Sequence, residues 1–203
     1  MCVGHHGSTH SSPSSRDYIL ILVTTSREPS RRTRSFIKEL SQTLPYTRVF
    51  NRGKRTLVEI ARLAAGHNAK FVMIVYEWKA NPRRILLYRL NPLLVSSSID
   101  TDQIYRIFAS LTISGVKLAR ESSIGCRIYN PRTIGFSIDK CSSELCFRAS
   151  EIFLRIYKYY SSREPDVILD FSDNESSTTI TVLDGLGRVC GPLIKVVKAE
   201  VFE

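Results

Sequence analysis

A strand and the start of a helix are encoded in the stretch Tyr18-Ile19-Leu20-Ile21-Leu22-Val23-Thr24-Thr25-Ser26-Arg27-Glu28-Pro29-Ser30. Its first six residues form a continuous apolar run bounded by polar residues, which is typical of a strand covered on both faces. Ser30 is a good helix cap and Pro29 fits a first helical turn, so we expect a helix to begin near one of them. A buried strand followed directly by a helix indicates an α/β protein.

The predicted helix has one apolar side and one cationic side. At 100° per residue, the apolar residues fall within one arc, and these are Phe36, Ile37, Leu40 and Leu44. Three cations fall nearly opposite, namely Arg31, Arg34 and Lys38. We expect the helix to end at Leu44-Pro45, because a residue before proline avoids the helical region.

The rest of the first half continues the alternation of strands and helices. We predict strands at 47–50, 71–76 and 85–90. Between the first two, Thr56-Leu57-Val58-Glu59 has the spacing of a capping box, and the helix that it starts should stop at Gly66-His67-Asn68. The order strand, helix, strand, helix, strand, strand implies a mainly parallel sheet with helices packed on it.

Residues 104–114 fit either a helix or a strand, and their alternation and β-branched content favour a strand that pairs with 85–90 as a long-looped hairpin. The later chain predicts a strand from Ile134 to Ile138 and a helix from Ser142 or Ser143. It then predicts strands at 166–171, 178–183 and 193–201, the last two joined through the hairpin signal Asp184-Gly185.

Strand, Ser-rich turn, helix and strand thus occur twice along the chain. The expected fold class is α/β with two similar halves, each a mainly parallel or mixed sheet with packed helices. We expect a flexible tail at 1–15 and one domain at 16–203, with halves at about 16–92 and 93–203.

The composition is that of a globular protein, with 203 residues, 43% of them hydrophobic and 24% charged. No apolar run approaches the ~20 residues of a membrane span, and the N-terminus lacks the pattern of a secretory signal. We therefore expect a cytoplasmic protein, or a nucleolar one if the source is eukaryotic, with no membrane partner.

The five cysteines form no C-x-x-C pair, which favours reduced thiols over a zinc site or a disulfide framework. We expect no metal and no cofactor.

The basic excess belongs entirely to the first half. The formal net charge is +10, yet residues 16–90 hold 16 Lys/Arg against 5 Asp/Glu, whereas residues 91–203 hold 13 against 14. Two short stretches, 26–34 and 48–55, supply eight cations and a single acid. The eight are Arg27, Arg31, Arg32, Arg34, Arg48, Arg52, Lys54 and Arg55. Seven of them are arginine, which favours forked contacts with phosphate oxygens.

Both basic stretches follow a predicted strand and precede a predicted helix. In a parallel α/β sheet, such loops open onto the carboxyl edge, where helix N-termini also favour anions. The two stretches should therefore form one phosphate-binding surface. Neither G-x-x-x-x-G-K-[ST] nor G-x-G-x-x-G is present, so a polyanion fits this surface better than a single nucleotide.

The residues Thr24-Thr25-Ser26-Arg27-Glu28-Pro29-Ser30, Phe36-Ile37-Lys38-Glu39-Leu40 and Asn51-Arg52-Gly53 resemble the opening of the Brix-domain proteins of ribosome biogenesis. The compact archaeal members, which are similar to the eukaryotic small-subunit processome branch, are the nearest match. This resemblance implies two α/β halves similar to the anticodon-binding domain of class IIa aminoacyl-tRNA synthetases. It also implies non-catalytic binding of ribosomal RNA or pre-rRNA, with other ribosome assembly factors as further partners, and it maps RNA contact onto the two basic stretches.

Two other functions stay open at the level of the sequence. Asp166, Asp170 and Asp173 form a close acidic cluster of the kind that holds Mg²⁺ in nucleases, although strand-end solvation explains them more simply. A protein-interaction adaptor would use an aromatic and basic patch formed by Tyr157, Tyr159 and Tyr160 beside Arg155 and Lys158.

Overall fold

The computed structural model describes residues 20–91, 104–121 and 126–202. A first run of elements consists of β1 (Ile21–Thr25), α1 (Arg31–Thr43), β2 (Thr47–Val49), α2 (Leu57–Gly66), β3 (Phe71–Trp78), β4 (Asn81–Leu90) and β5 (Tyr105–Lys117). A 3₁₀ turn (Ala119–Glu121) follows it. The second run consists of β6 (Ile134–Lys140), α3 (Glu144–Tyr157), β7 (Val167–Asn174), β8 (Ser177–Asp184) and β9 (Val189–Val201). The predicted tail at 1–15 and the start of the first predicted strand lie outside the described residues.

The strands described here lie in one sheet with the order β2-β1-β3-β4-β5-β9-β8-β7-β6. The pairs β1–β2, β1–β3 and β6–β7 are parallel, and the other five neighbouring pairs are antiparallel. The prediction of a mainly parallel sheet is therefore wrong, and the mixed alternative is right. The reason is that β3 and β7 each turn back through a tight hairpin, which makes the next strand antiparallel.

The strand predicted in the ambiguous middle of the chain is confirmed as β5. It pairs antiparallel with β4, with Ile85 opposite Leu111 and Leu87 opposite Ala109. All four side chains are buried, so β5 is selected over a helix by packing against the strand beside it. The hairpin predicted at Asp184-Gly185 is confirmed between β8 and β9.

The helices begin where their capping residues predict. Ser30 caps α1 and accepts a hydrogen bond from the Thr33 N–H. Thr56 and Glu59 form the predicted capping box of α2. Ser143, one of the two predicted starts, caps α3. Within the described part of the chain, none of the helices has the length and apolar content needed to cross a bilayer.

The sheet has a buried core on each of its faces. On one face, α1 and α3 share a cluster that includes Phe36, Ile152 and Val196. On the other face, α2 packs Ile60 and Ala64 in a second cluster with strand residues of the first run. The larger cluster contains residues of both runs, so the two runs are packed through a common core.

The described cysteines contradict the prediction of reduced thiols. Cys126 is bonded to Cys190, with 64 residues of separation, and Cys141 is bonded to Cys146. No C-x-x-C spacing signals either pair, since the first links residues that only the folded chain brings together. Cys2 lies outside the described residues.

Asp173 fixes the start of α3 from the carboxyl end of β7. Its carboxylate accepts hydrogen bonds from the Ser142 and Ser143 N–H groups, both at 2.6 Å, and from the Ser143 hydroxyl at 2.6 Å. Burial opposes ionisation of this carboxyl, but the hydrogen bonds from Ser143 and Ser142 outweigh that effect and hold the pKa of Asp173 well below its ordinary value.

Replacing Asp173 by Asn is expected to lower the free energy of unfolding at neutral pH by about 1–3 kcal/mol, because charge-assisted hydrogen bonds are lost. A carboxyl with a lowered pKa stabilises the fold above its unfolded pKa, and this stabilisation is lost as the pH falls below about 4. Asp173→Asn should therefore also flatten the acid limb of the stability curve. Chemical denaturation at several pH values measures both effects, and the exposed Glu175→Gln is the matched control. Equal acid sensitivity of Asp173→Asn and the wild type would contradict the assignment.

Replacing Cys126 by Ser is expected to lower the free energy of unfolding by about 2–4 kcal/mol, because the cross-link restricts a long loop in the unfolded chain. Cys141→Ser, which opens a link between residues only 5 apart, should lose less. Denaturation with and without reductant measures the difference, and a wild-type midpoint that does not respond to reductant would contradict the pairing.

Candidate nucleic-acid interface

The two predicted basic loops lie side by side at one edge of the sheet. Since β1 and β2 are parallel neighbours, the loops that follow them, residues 26–30 and 50–56, leave from the same edge. The Phe50 N–H donates to the Val23 carbonyl at 2.8 Å, and the Thr24 hydroxyl donates to the Phe50 carbonyl at 2.8 Å. These bonds join the start of the second loop to the end of β1.

A third segment, the turn of the β3–β4 hairpin, reaches the same edge. Lys79 and Ala80 form its two central residues and both have positive φ, at 50° and 60°. The Ser30 hydroxyl oxygen lies 3.0 Å from the Ala80 carbonyl oxygen, so this turn packs against the start of α1. We call the loops 26–30 and 50–56 together with the turn at 79–80 the basic edge.

Six of the eight predicted contact residues have exposed side chains. These are Arg27, Arg31, Arg34, Arg48, Lys54 and Arg55. Arg31 and Arg34 lie opposite the buried Phe36 and Ile37, as the helical periodicity predicts. Arg55 places its guanidinium over the Phe50 ring, 4.9 Å from the centroid, which leaves it at the surface with a fixed direction.

Arg52 is buried and serves the fold. Only 8% of it is exposed, and its guanidinium donates to the Thr25 carbonyl at 3.4 Å and to the Arg55 carbonyl at 3.2 Å. The side chain therefore ties the second loop to the end of β1. The prediction that the Arg52 side chain takes part in an exposed cationic surface is corrected, because its donors are used inside the protein.

Arg32 is also engaged within the protein. It forms a two-pronged ion pair with Glu121, in which one contact measures 2.8 Å, and it donates to the Val116 carbonyl at 2.7 Å. The hydrogen bond from Arg32 is the main reason why the pKa of Glu121 lies below its ordinary value. Periodicity along α1 could not reveal this partner, which lies 89 residues away in sequence.

The helix N-termini behind the two loops already hold carboxylates. Glu77 at the end of β3 accepts hydrogen bonds from the Ser30 N–H at 2.9 Å and the Ser30 hydroxyl at 2.8 Å, which places its negative charge at the start of α1. Glu59 accepts from the Thr56 N–H at 2.7 Å at the start of α2. The predicted contribution of free helix N-termini to anion binding is thus corrected, and the exposed side chains carry the positive charge of the edge.

The basic edge also differs in shape from the predicted surface. α1 packs on one face of the sheet and α2 on the other, so the two helix starts flank the edge from opposite sides. A ligand that contacts both loops must therefore extend across the rim of the sheet, as an extended polyanion does.

Several exposed cations near these elements escaped the sequence analysis. Lys79 and Arg83 lie in the β3–β4 hairpin. A cavity of about 1300 Å³ runs beside α1 and is lined by Arg120, Arg127 and Arg132, together with Lys38 and the predicted contact residue Arg48. Glu39 also lines it, and burial raises the pKa of that carboxyl. Asn81-Pro82 is the sequence signal for a turn here, since Lys79 and Ala80 lack the Gly or Asn typical of two central residues with positive φ, whereas the cavity joins residues from distant parts of the chain.

The acidic cluster considered for Mg²⁺ does not converge on one point. Asp166 accepts from the Arg132 and Thr133 N–H groups, Asp173 accepts from the N–H of the α3 cap Ser143, and Asp170 binds the Ser137 hydroxyl at 2.6 Å. Each carboxylate has its own partners inside the fold. This supports the structural explanation of the three residues.

A different group of potential metal ligands lies elsewhere in the described residues. The side-chain ligand atoms of Cys126, Asp184 and Cys190 lie within 4.8 Å of one another. The two sulfur atoms are bonded to each other, and Asp184 accepts from Arg188 at 2.7 Å. With its thiols used in a disulfide, this group does not offer a thiolate ligand set.

The aromatic patch proposed for an adaptor does not form. Tyr157 is fully buried, and its hydroxyl lies 3.0 Å from the Thr47 hydroxyl and 3.2 Å from the Pro45 carbonyl. Tyr160 packs its ring on Tyr46. Tyr159 is exposed, so the three tyrosines do not present one surface.

No protein-family model matches the chain. Among curated proteins, it is 31% identical over 112 residues to a probable Brix domain-containing ribosomal biogenesis protein of Pyrococcus horikoshii, which is 55% of this chain and 45% of that protein. The chain thus spans about half the length of the first relatives that it matches. It is 26% identical over 183 residues to the protein of the same description from Methanococcus maripaludis, covering 90% of this chain and 99% of that one.

Two solved structures of archaeal proteins match the fold of this chain. The crystal structure of a probable ribosomal biogenesis protein from Aeropyrum pernix matches with a TM-score of 0.76 and 26% identity, covering 91% of this chain and 99% of that one. An archaeal Imp4-like protein, Mil, has the same fold, with a TM-score of 0.60 over 89% of this chain at 23% identity.

The fold and its edge define a mixed α/β domain with a concentrated cationic rim. The chain is a homologue of the archaeal Brix domain-containing ribosomal biogenesis proteins, and the family resemblance predicted from its residues is confirmed.

Replacing Arg52 by Ala is expected to lower the free energy of unfolding by about 1–3 kcal/mol, because it removes the hydrogen bonds to the Thr25 and Arg55 carbonyls and buried packing. Lys54→Ala, two residues along the same loop, should change it by less than about 0.5 kcal/mol, since Lys54 is exposed. Denaturation of both variants beside the wild type makes the comparison. A similar loss in the two variants would contradict the structural role of Arg52.

Proposed function

We propose that this protein is a non-catalytic ribosome biogenesis factor that binds ribosomal RNA or pre-rRNA through the basic edge and the exposed face of α1. The homologues are named as ribosomal biogenesis proteins, which supports the process. The observation that carries the RNA contact is the joining of the two basic loops by the Phe50–Val23 and Thr24–Phe50 hydrogen bonds.

The charge of this region suits a phosphate backbone. Six exposed cations of the two basic stretches lie on or next to the edge, and α1 carries Arg31, Arg34 and Lys38 along one exposed side. The carboxylates of Glu77 and Glu59 accept hydrogen bonds at the helix starts, and the charges of Arg34 and Arg55 act on them, so they offset only part of this positive charge. The stripe on α1 continues through Lys38 into the cavity that Arg48 also lines. An RNA strand following this path meets cations from the edge to the cavity.

Catalysis is not part of the proposed function. Hydrolysis of RNA by a bound metal needs carboxylates that converge on one ion. Asp166, Asp170 and Asp173 instead bind separate groups of the fold, which favours a binding role.

The proposal includes a duplicated domain. The strand orders β1-β3-β4-β5 and β6-β7-β8-β9 share the same sequence of parallel, antiparallel and antiparallel pairings. Ser30 and Ser143 each cap the helix after the first strand and each bind a carboxylate from the parallel neighbour, Glu77 or Asp173. We interpret the two runs as similar halves of the anticodon-binding type. The first half contains two additional elements, β2 and α2, that have no counterpart among the described elements of the second half.

Such a factor acts beside other ribosome assembly factors, and we place it in the cytoplasm, or in the nucleolus of a eukaryotic source. Binding by phosphate contacts selects RNA by shape or by unpaired bases, because the deep groove of paired RNA hides its base edges.

Replacing Arg31 and Arg34 together by Glu is expected to weaken binding of a ribosomal RNA fragment by about tenfold or more, because phosphate contacts become repulsive. If five cations engage phosphates in the wild type, the plot of log K against log salt has a slope near −4, and the double variant should have a shallower one. Fluorescence anisotropy at several salt concentrations measures both quantities.

The control makes the same charge change at Arg106 and Lys195, which are exposed on β5 and β9. This variant should bind nearly as well as the wild type, and both doubles should keep the wild-type unfolding midpoint. Equal loss of RNA affinity in the two double variants would show that the loss comes from net charge alone and does not depend on the position of Arg31 and Arg34. Affinity that does not change with salt would contradict the RNA-binding function.

A further inference from the structure

Trp78, at the end of β3, is an exposed aromatic residue beside the basic edge. It is the single tryptophan of the sequence, and 68% of it is exposed. Trp78 belongs to neither of the two core clusters formed by the described residues. A large exposed ring next to a cationic surface is the arrangement that unpaired nucleic acid uses for stacking.

The backbone on either side of Trp78 is fixed. Trp78 pairs with Asn81 across the two-residue turn, and the Asn81 side-chain amide donates to the Lys79 carbonyl at 3.0 Å. The preceding residue, Glu77, accepts hydrogen bonds from the Ser30 N–H and hydroxyl, and the Ala80 carbonyl lies 3.0 Å from the same hydroxyl. The ring therefore stands on a hairpin held against the start of α1, and little backbone conformational entropy is lost when a ligand stacks on it.

The position of the ring relates it to the second basic loop. Glu77 faces the side of the sheet that carries α1, since it contacts Ser30. Side chains alternate along a strand, so Trp78 lies on the other side, which carries α2 and the loop 50–56. Tyr76, on that same side, packs against the α2 cluster. Lys54 and Arg55 are the exposed cations of that loop.

We propose that Trp78 is a stacking platform for an unpaired base of the bound RNA, while the cations of the basic edge hold the flanking phosphates. This inference rests on the proposed RNA-binding function and deepens it by naming single-stranded RNA as the recognised class. Stacking needs a flat exposed ring but no base-specific hydrogen bonds, so the platform tolerates any base. The base in a duplex is already stacked and does not reach the ring.

The single tryptophan provides a direct readout. The full chain is titrated with an unstructured 12-nucleotide RNA and, separately, with the same strand in a duplex, while intrinsic tryptophan fluorescence and anisotropy of a labelled RNA are recorded. We expect the single strand to quench the fluorescence at saturation. The duplex should bind through phosphates with little quenching.

Variants separate stacking from charge. Trp78→Ala should weaken single-strand binding roughly 5- to 150-fold, the range for loss of one stacked base, and should leave the salt slope unchanged. Trp78→Phe should retain most of the affinity. Tyr159→Ala, which removes an aromatic residue 83% exposed beside Tyr160, is the matched control and should bind as the wild type does.

The outcomes distinguish this inference from the function on which it rests. RNA binding that depends on Arg31 and Arg34 but neither quenches Trp78 nor weakens in Trp78→Ala would overturn the platform and leave the function standing. Equal quenching by strand and duplex would overturn the preference for unpaired RNA. No binding of either RNA, together with capture of a protein assembly factor that depends on Trp78, would assign the ring to a protein contact and overturn both.

Discussion

The antiparallel pairing of β5 with β9 is the interaction on which the rest of the structure depends. It places Ala109 opposite Val201 and Leu111 opposite Ala199, and it joins two runs of strands into one sheet. Because the sheet is continuous, α1 and α3 pack on the same face and share one core. The hydrogen bond of the buried Tyr157 hydroxyl to the Pro45 carbonyl closes this core between the end of α3 and the start of β2. The cavity beside α1 exists because segments from both runs meet there.

Internal carboxylates determine where positive charge remains at the surface. A helix N-terminus attracts anions, and in this protein the starts of α1, α2 and α3 receive Glu77, Glu59 and Asp173. These contacts stabilise the helices and compensate the positive ends of their dipoles. The arginine and lysine side chains that project beyond them are consequently the groups left for a polyanion. Arg52 is also used inside the protein, since its guanidinium donates to the Thr25 carbonyl and holds the second loop in place. Its neighbours Lys54 and Arg55 stay exposed.

Local patterns were sufficient for much of the first half. The cap at Ser30, the capping box at Thr56 and the opposed sides of α1 each depend on residues a few positions apart, and each is found in the structure. Alternation of polar and apolar residues also predicts the strand β5, which the structure contains. The residues that precede this strand, 92–103, lie outside the described part of the chain. The prediction of a mainly parallel sheet is wrong because helices between strands indicate parallel crossovers, whereas the tight hairpins after β3 and β7 reverse the direction of the following strand.

The sequence by itself determined the elements of the first half, the concentration of cations in two short stretches and the family that those stretches resemble. Only the tertiary structure decided which cations are available, since the partners of Arg32 and Arg52, Glu121 and Thr25, lie 89 and 27 residues away. It also brought Trp78 to the basic edge and bonded Cys126 to Cys190. The physical reason is that periodicity and capping act between residues within a few positions, whereas burial, ion pairing and cross-links depend on which distant segments the sheet places together.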